Sequence, residues 1–202
     1  VASVNALSPV SNDGATTINL SEPYAVEFTL TGTAPLLFHR WSVESVAEKA
    51  AAAKGSAAKK SDDIDSYVWR LDNREIGLPG EYIRQAAIHA AKFRQDPRSP
   101  RKSAMDLFKA ALVSLTDLAS LGTTDWDYLD QRRVMVQRNG VTRCRPAFHP
   151  GWTAKFVFQI QLPEYVPSAD VHDVLVNAGR LVGVGDFRPS YGRFAVTDYK
   201  VA

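Results

Sequence analysis

The stretch Gly179 to Phe194, Gly-Arg-Leu-Val-Gly-Val-Gly-Asp-Phe-Arg-Pro-Ser-Tyr-Gly-Arg-Phe, gathers residue types that handle anions. Glycines such as Gly183 and Gly185 let backbone approach a ligand closely and admit positive φ. N–H groups exposed in such a turn form an anion-binding nest. Arg188 and Arg193 add planar guanidinium forks matched to phosphate. A tight helix-to-strand turn with solvated arginines has the same composition, so the loop alone leaves both readings open.

A second cationic region precedes it. From Gln131 through Pro163 there is no Asp or Glu, while the stretch carries Arg132, Arg133, Arg138, Arg143, Arg145 and Lys155, with Phe148, His149 and Trp152 among them. Arg84, Lys92, Arg94, Arg98, Arg101 and Lys102 cluster earlier. Cations interleaved with aromatics suit a phosphate backbone whose bases stack or splay. A solvated basic face balanced by Asp125, Asp127 and Asp130 is the competing explanation. His39, His89, His149 and His172 lie in different elements with no partner at metal-ligand spacing, His39 being the best placed for acid–base work. There is no Walker loop and no nucleophile elbow. No cofactor and no metal are expected.

The elements that position these residues follow from periodicity. Tyr24, Val26, Phe28 and Leu30 alternate with polar positions as a half-buried strand, and Phe156, Phe158, Ile160 and Leu162 do the same. Gly80 and Glu81 open a helix reaching about residue 94, with Ile83, Ala86, Ala87, Ala90 and Ala91 on its packed stripe. Phe108, Leu112, Leu115 and Ala119 keep helical spacing over 103–121, with Gly122 as the stop. Asn139-Gly140 signals a hairpin between Arg132–Gln137 and Val141–Ala147. Ser168 caps a last helix with the stripe Val171, Val174, Leu175, Ala178, Leu181 and Val182, and a strand from Phe194 to Val201 follows the glycine loop. The order is strand, helix, strand, strand, helix, strand. That is an α+β, ferredoxin-like (RRM-like) βαββαβ core with an extra helix and a C-terminal glycine-rich loop.

Outside the core, residues 1–21 read as an extended arm rich in Ser, Asn, Thr and Ala. Residues 22–202 read as one domain with a Lys/Ala-rich insertion at about 42–63. Within that insertion Ser42 caps a short helix over 43–53, and Lys54, Lys59 and Lys60 are answered by Asp62, Asp63 and Asp65. Arm and insertion have little to bury in a core of their own, which predicts self-association. The 202 residues are 45% hydrophobic and 23% charged, an ordinary globular balance, and the net charge of +2 makes no argument for nucleic acid by itself. Cys144 stands alone, which excludes an internal disulfide and fits a reducing compartment. No apolar run is long enough to span a bilayer, so a cytoplasmic protein without a membrane partner is expected.

Three segments together resemble the RAMP superfamily, the ferredoxin-like proteins of CRISPR systems. Thr33-Ala34-Pro35-Leu36-Leu37 after the first strand is similar to the family's threonine-proline-leucine signature. Asp65-Ser66-Tyr67-Val68, leading to Leu78-Pro79-Gly80-Glu81-Tyr82-Ile83-Arg84, resembles its aspartate loop and proline-glycine helix start. Gly183-Val184-Gly185 to Tyr191-Gly192-Arg193-Phe194 resembles its C-terminal glycine-rich loop. The subgroup most resembled is the small backbone subunit that polymerises along a guide RNA; a viral or free-standing relative fits the same segments. The resemblance implies non-catalytic binding of single-stranded RNA or DNA, RNA favoured, with homo-oligomeric assembly along the strand in an antiviral-defence ribonucleoprotein. The binding residues would be Arg84, Arg132, Arg133, Arg138, Arg143, Arg145, Gly183, Gly185, Arg188 and Arg193. In some related subunits an aspartate in the loop matched by Asp65 is catalytic, which implies a metal-dependent endoribonuclease as the alternative. A structural or viral assembly protein that keeps the fold is a third.

Overall fold

A computed structural model describes residues 22–40, the single positions 47 and 51, 63–136 and 139–202, with backbone alone at 134–136 and 139–141. The arm 1–21, the helix expected over 43–53 apart from positions 47 and 51, its cap Ser42, and Lys54, Lys59, Lys60, Asp62 and Arg138 lie outside the described residues.

The core is one antiparallel sheet with helices on one face. Strands β1 (Tyr24–Gly32), β7 (Leu112–Ser114), β11 (Thr153–Ile160) and β12 (Phe194–Val201) run in the order β12-β1-β11-β7. Helix α1 (Gly80–Ala90) connects β1 to β7, and α3 (Ser168–Asn177) connects β11 to β12. Taken by sequence, that is the split βαβ order of a ferredoxin-like fold. Alternation dictates the layering. Val26, Phe28 and Leu30 of β1 and Phe156, Phe158 and Ile160 of β11 are fully buried. Phe28 lies edge-on to Phe158 with ring centroids 5.0 Å apart. The alanine stripe Ala86, Ala87, Ala90 and Ala91 has essentially no exposure; small side chains let α1 lie close against the sheet.

The segment 103–121 is not one helix. Helix α2 (Met105–Ala111) stops where Leu112 turns extended (φ −89°, ψ 126°). Leu112–Ser114 then becomes the edge strand of the main sheet, with Leu112 opposite Ile160, and β8 (Leu118–Ser120) pairs with β4 (Ile76–Pro79). Leu115, placed on the helical stripe by its spacing, is 54% exposed. Leu181 is likewise exposed, because the chain unwinds into a π turn over Ala178–Val182 and leaves the stripe. Ser168 makes no capping bond; Pro167 occupies the cap position. The basic loop at 98–102 belongs to a small hairpin of β5 (Gln95–Asp96) and β6 (Ser99–Ser103), in which Arg98 forks onto the buried Asp96 carboxylate at 2.8 and 3.0 Å.

The hairpin of β9 (Tyr128–Val136) and β10 (Asn139–Phe148) is inserted between β7 and β11, and its root is extended by β2 (Leu36–Leu37), which pairs with β10. Asn139 pairs with Val136, so Asn139-Gly140 opens the second strand. Strand β3 (Trp69–Arg70) completes the third sheet beside β4.

Trp152 ties the end of β1 to this region. Its indole lies where a Cβ on residue 32 would be 2.0 Å from Nε1, so only glycine fits at Gly32. The indole N–H donates to the Ala34 carbonyl at 3.0 Å, and the Ala34 N–H in turn donates to the Arg193 carbonyl at 3.2 Å.

Candidate nucleic-acid interface

The outer face of the main sheet is polar. Glu27 bridges Lys155 and Lys200, each at 2.7 Å, and Thr31 meets Thr197 at 3.1 Å. RRM proteins stack bases on aromatic residues of this face; here it carries an ion-pair triad, so the RRM-like part of the fold expectation does not extend to an RRM-like platform.

The glycine loop sits elsewhere, stitched to the segment after β1. The N–H of Gly192 donates to the Pro35 carbonyl at 2.7 Å, that of Asp186 to Leu37 at 2.9 Å, and that of Val184 to Gly192 at 2.9 Å. Gly183 and Tyr191 donate to Ala178 and Phe187, and Phe187 to the Asp186 side chain. These donors are therefore spent inside the protein and do not form an open nest. The glycines serve close approach instead. A Cβ on Gly192 (φ +68°) would lie 1.7 Å from the Val184 carbonyl oxygen, and one on Gly185 (φ +76°) 2.5 Å from that of Leu37. Capacity for an anion in this loop rests on its side chains.

The hairpin braces the loop from the other side. Opposed residues of an antiparallel pair share a face, and Arg132 stands opposite Arg143 and Asp130 opposite Arg145. All four therefore point the same way. Arg132 chelates Asp130 through Nε at 2.7 and 2.9 Å, donates to the Tyr191 hydroxyl, and stacks 4.5 Å from the Tyr191 ring. Arg145 is buried, pairs with Asp186, and lies 4.4 Å from the centre of Phe187. Asp130 is thus a buried counter-ion rather than part of an acidic patch, and Asp127 accepts from the His149 N–H at 2.7 Å.

Arg143 Nη1 donates to His39 Nε2 at 3.0 Å. An arginine only donates, so this imidazole is neutral with Nε2 as acceptor. Burial, then the charge of Arg143, lowers the His39 pKa from its usual value. His39 also packs on Tyr67, with ring centroids 4.7 Å apart, and the Arg40 N–H donates to the Tyr67 carbonyl at 2.9 Å. The chain thus brings Pro35–Leu37, Asp65–Tyr67 and Val184–Gly192 together, segments that are far apart in sequence.

Between this cluster and α1 runs a groove. One cavity of about 380 Å³ is lined by Tyr82, Gln85 and His89 of α1 and by Gly185, Asp186 and Arg188 of the loop, with His39 at its side. A second, of about 630 Å³, shares His89, Gly185, Asp186 and Arg188 and continues past Lys92 and the 70%-exposed Phe93. Arg188 and Arg193 are exposed and make no ion pair among the described residues; the same holds for Arg133. Arg84 lies apart from the loop, with Nε on the Leu112 carbonyl at 2.7 Å, Nη2 on Lys109 at 2.8 Å and Nη1 on Glu81 at 2.9 Å. Asp65 accepts from Arg70 Nε at 3.2 Å, and Arg70 also donates to the Arg74 and Thr124 carbonyls at 2.8 Å. Among the described residues no three His, Cys, Asp or Glu side chains gather as a metal site. Tyr82, Gln85, His89 and Phe93 were missing from the sequence-based set. Only the helical period connects them, and nothing in it says that the glycine loop lies opposite.

No family model and no curated protein matches the sequence. Solved structures do. A chain in the cryo-EM structure of the Type III-B Cmr-beta complex bound to cognate target RNA aligns with a TM-score of 0.54 at 11% identity, over 89% of this chain and 61% of that one. Cmr6 from Pyrococcus furiosus aligns at 0.46 and 10% identity, over 87% and 98%. The Cmr-beta alignment bears out the ferredoxin-like fold expected from the sequence. This chain spans about three fifths of that subunit's length. No helix among the described residues is long and apolar enough to cross a membrane.

Proposed function

We propose that the chain binds single-stranded nucleic acid, RNA in preference to DNA, without cleaving it, and assembles in copies along the strand as part of a cytoplasmic ribonucleoprotein. The observation that carries this reading is how the arginines are divided. Arg132 and Arg145 are consumed by Asp130 and Asp186 and hold the loop rigid. Arg133, Arg143, Arg188 and Arg193 are left without a carboxylate partner among the described residues. Arg188, and Arg143 behind His39, stand beside a groove that also offers Tyr82, His89 and Phe93, an arrangement that suits a phosphate backbone with splayed bases. The fold shared with a subunit of an RNA-bound complex supports RNA as the ligand.

In this reading Asp65 has a structural part: its carboxylate holds Arg70, which fastens the turn at Arg74 to Thr124. The test is to purify the protein, identify any nucleic acid that accompanies it, and measure affinity for single-stranded RNA and DNA oligonucleotides across salt concentrations, with sedimentation run alongside. Salt-dependent binding and strand-length-dependent assembly support the proposal. Magnesium-dependent cleavage that disappears in Asp65→Ala would replace it with the nuclease alternative. Absence of salt-dependent binding would favour a structural protein.

A further inference from the structure

Arg193 does not line the groove. It borders a separate cavity of about 360 Å³ together with Arg180, Thr33 and the start of β12, and this cavity shares no lining residue with the two on the groove side. The walls are the π turn and the first residues of β12. Gly179 lets them meet, since a Cβ there would lie 2.1 Å from the Phe194 carbonyl oxygen. Val176 and Val196 supply apolar lining, while Arg180 and Arg193 are both exposed. Neither guanidinium has a carboxylate partner among the described residues. In the main sheet β12 is paired on one side only, by β1. Alternate backbone N–H and C=O groups of an edge strand face outward, here beside the cavity.

Two guanidiniums bordering one small cavity, with no acid to answer them, form a site that an anion completes. Planar forks favour phosphate over a simple halide. The apolar lining and the strand edge call for a ligand with a body as well as a charge. The volume falls at the lower end of the roughly 300–1,000 Å³ typical of small-ligand pockets. We infer that this cavity is a second binding site, specific for a nucleoside phosphate: Arg180 and Arg193 hold the phosphate, Val176 and Val196 pack against sugar and base, and the β12 edge meets the base's polar groups. The phosphate belongs either to a free nucleotide or to a residue of the bound strand after it has crossed the glycine loop; the second source rests on the strand-binding proposal above.

Arg180 isolates the site, because it touches neither the groove nor an internal ion pair. Wild type, Arg180→Ala, Arg180→Lys and Arg188→Ala are each titrated with adenosine monophosphate by calorimetry and with a single-stranded oligouridylate at several salt concentrations, with melting temperatures as the fold control. For a free nucleotide, Arg180→Ala weakens adenosine monophosphate at least tenfold, Arg180→Lys weakens it less, and Arg188→Ala leaves it unchanged. For a strand residue, Arg180→Ala instead lowers the magnitude of the oligonucleotide salt slope by roughly 0.7, the value of one phosphate contact on a single strand. Wild-type behaviour of a folded Arg180→Ala in both assays overturns this site and leaves the strand-binding proposal standing. Wild type that binds adenosine monophosphate but no oligonucleotide does the reverse, and wild type that binds neither overturns both.

Discussion

Arg145 and Asp186 are 41 residues apart in sequence and form the one ion pair that ties the basic hairpin to the glycine loop among the described residues. The arginine is 5% exposed and the aspartate 35%. Removing one member of a fully buried pair costs about 3–5 kcal/mol, because the other charge is left uncompensated. With Asp186 partly wet, Asp186→Ala is expected to fall at or just below the lower end of that range. Urea unfolding reads this directly; a loss under about 0.5 kcal/mol would place the pair among weak surface bridges.

Arg188 and Arg193 carry no such structural duty. Replacing both by alanine should leave the melting temperature unchanged and reduce the oligonucleotide salt slope by up to about two phosphate contacts, roughly 0.7 each. The loss should be equal for all sequences, since phosphate contacts position a strand without reading bases. A lowered melting temperature with an unchanged slope would make these arginines structural.

Arg84 should behave in the opposite way. Its fork holds the carbonyls of Lys109 and Leu112, where α2 ends and the edge strand begins. Arg84→Ala is expected to cost about 1–3 kcal/mol through carbonyls left without a charged donor, with oligonucleotide affinity per folded molecule unchanged. Anisotropy titrations at a temperature well below melting separate the two effects.

Asp96 supplies a pH dependence. The hydrogen bonds from the Arg98 side chain lower its pKa from 3.8 to about 2. A carboxylate with a depressed folded value contributes stability that is present above its unfolded pKa and is lost as pH falls through the folded one. The loss should therefore run from about pH 4 to about pH 2. Asp96→Asn should be less stable than wild type at neutral pH, and the two urea midpoints should converge near pH 2.

What the sequence reveals depends on how local the cause is. The alternations in β1 and β11 and the Val171-Val174-Leu175 stripe are readable because burial on one face imposes the period residue by residue. Strand β7 is hidden, because Phe108, Leu112 and Leu115 satisfy helical spacing while Val113 and Thr116, β-branched and stiff at χ1, favour the extended chain that wins. The cationic segments are visible as composition, but their division into bracing and unpaired arginines is not. No spacing rule links Arg145 to Asp186 or Arg132 to Tyr191; only the paired register of the hairpin and the docking of the loop do so. The nest fails partly for the same reason, since the Gly192 and Asp186 N–H groups are claimed by Pro35 and Leu37 from the far end of the chain, while Gly183, Val184, Phe187 and Tyr191 donate to partners nearby in sequence.

The position of Trp152 gives the protein a built-in optical gauge. Its indole is buried and bonded to Ala34, whose own N–H holds Arg193, so the ring lies two hydrogen bonds from the backbone of the glycine loop. Of the other described tryptophans, Trp69 and Trp126 are only partly buried, and their emission should lie further to the red. A blue-edge fluorescence component should therefore respond when the loop takes up a ligand, with no label attached. Replacing Trp152 by phenylalanine should remove that component and leave the red one in place.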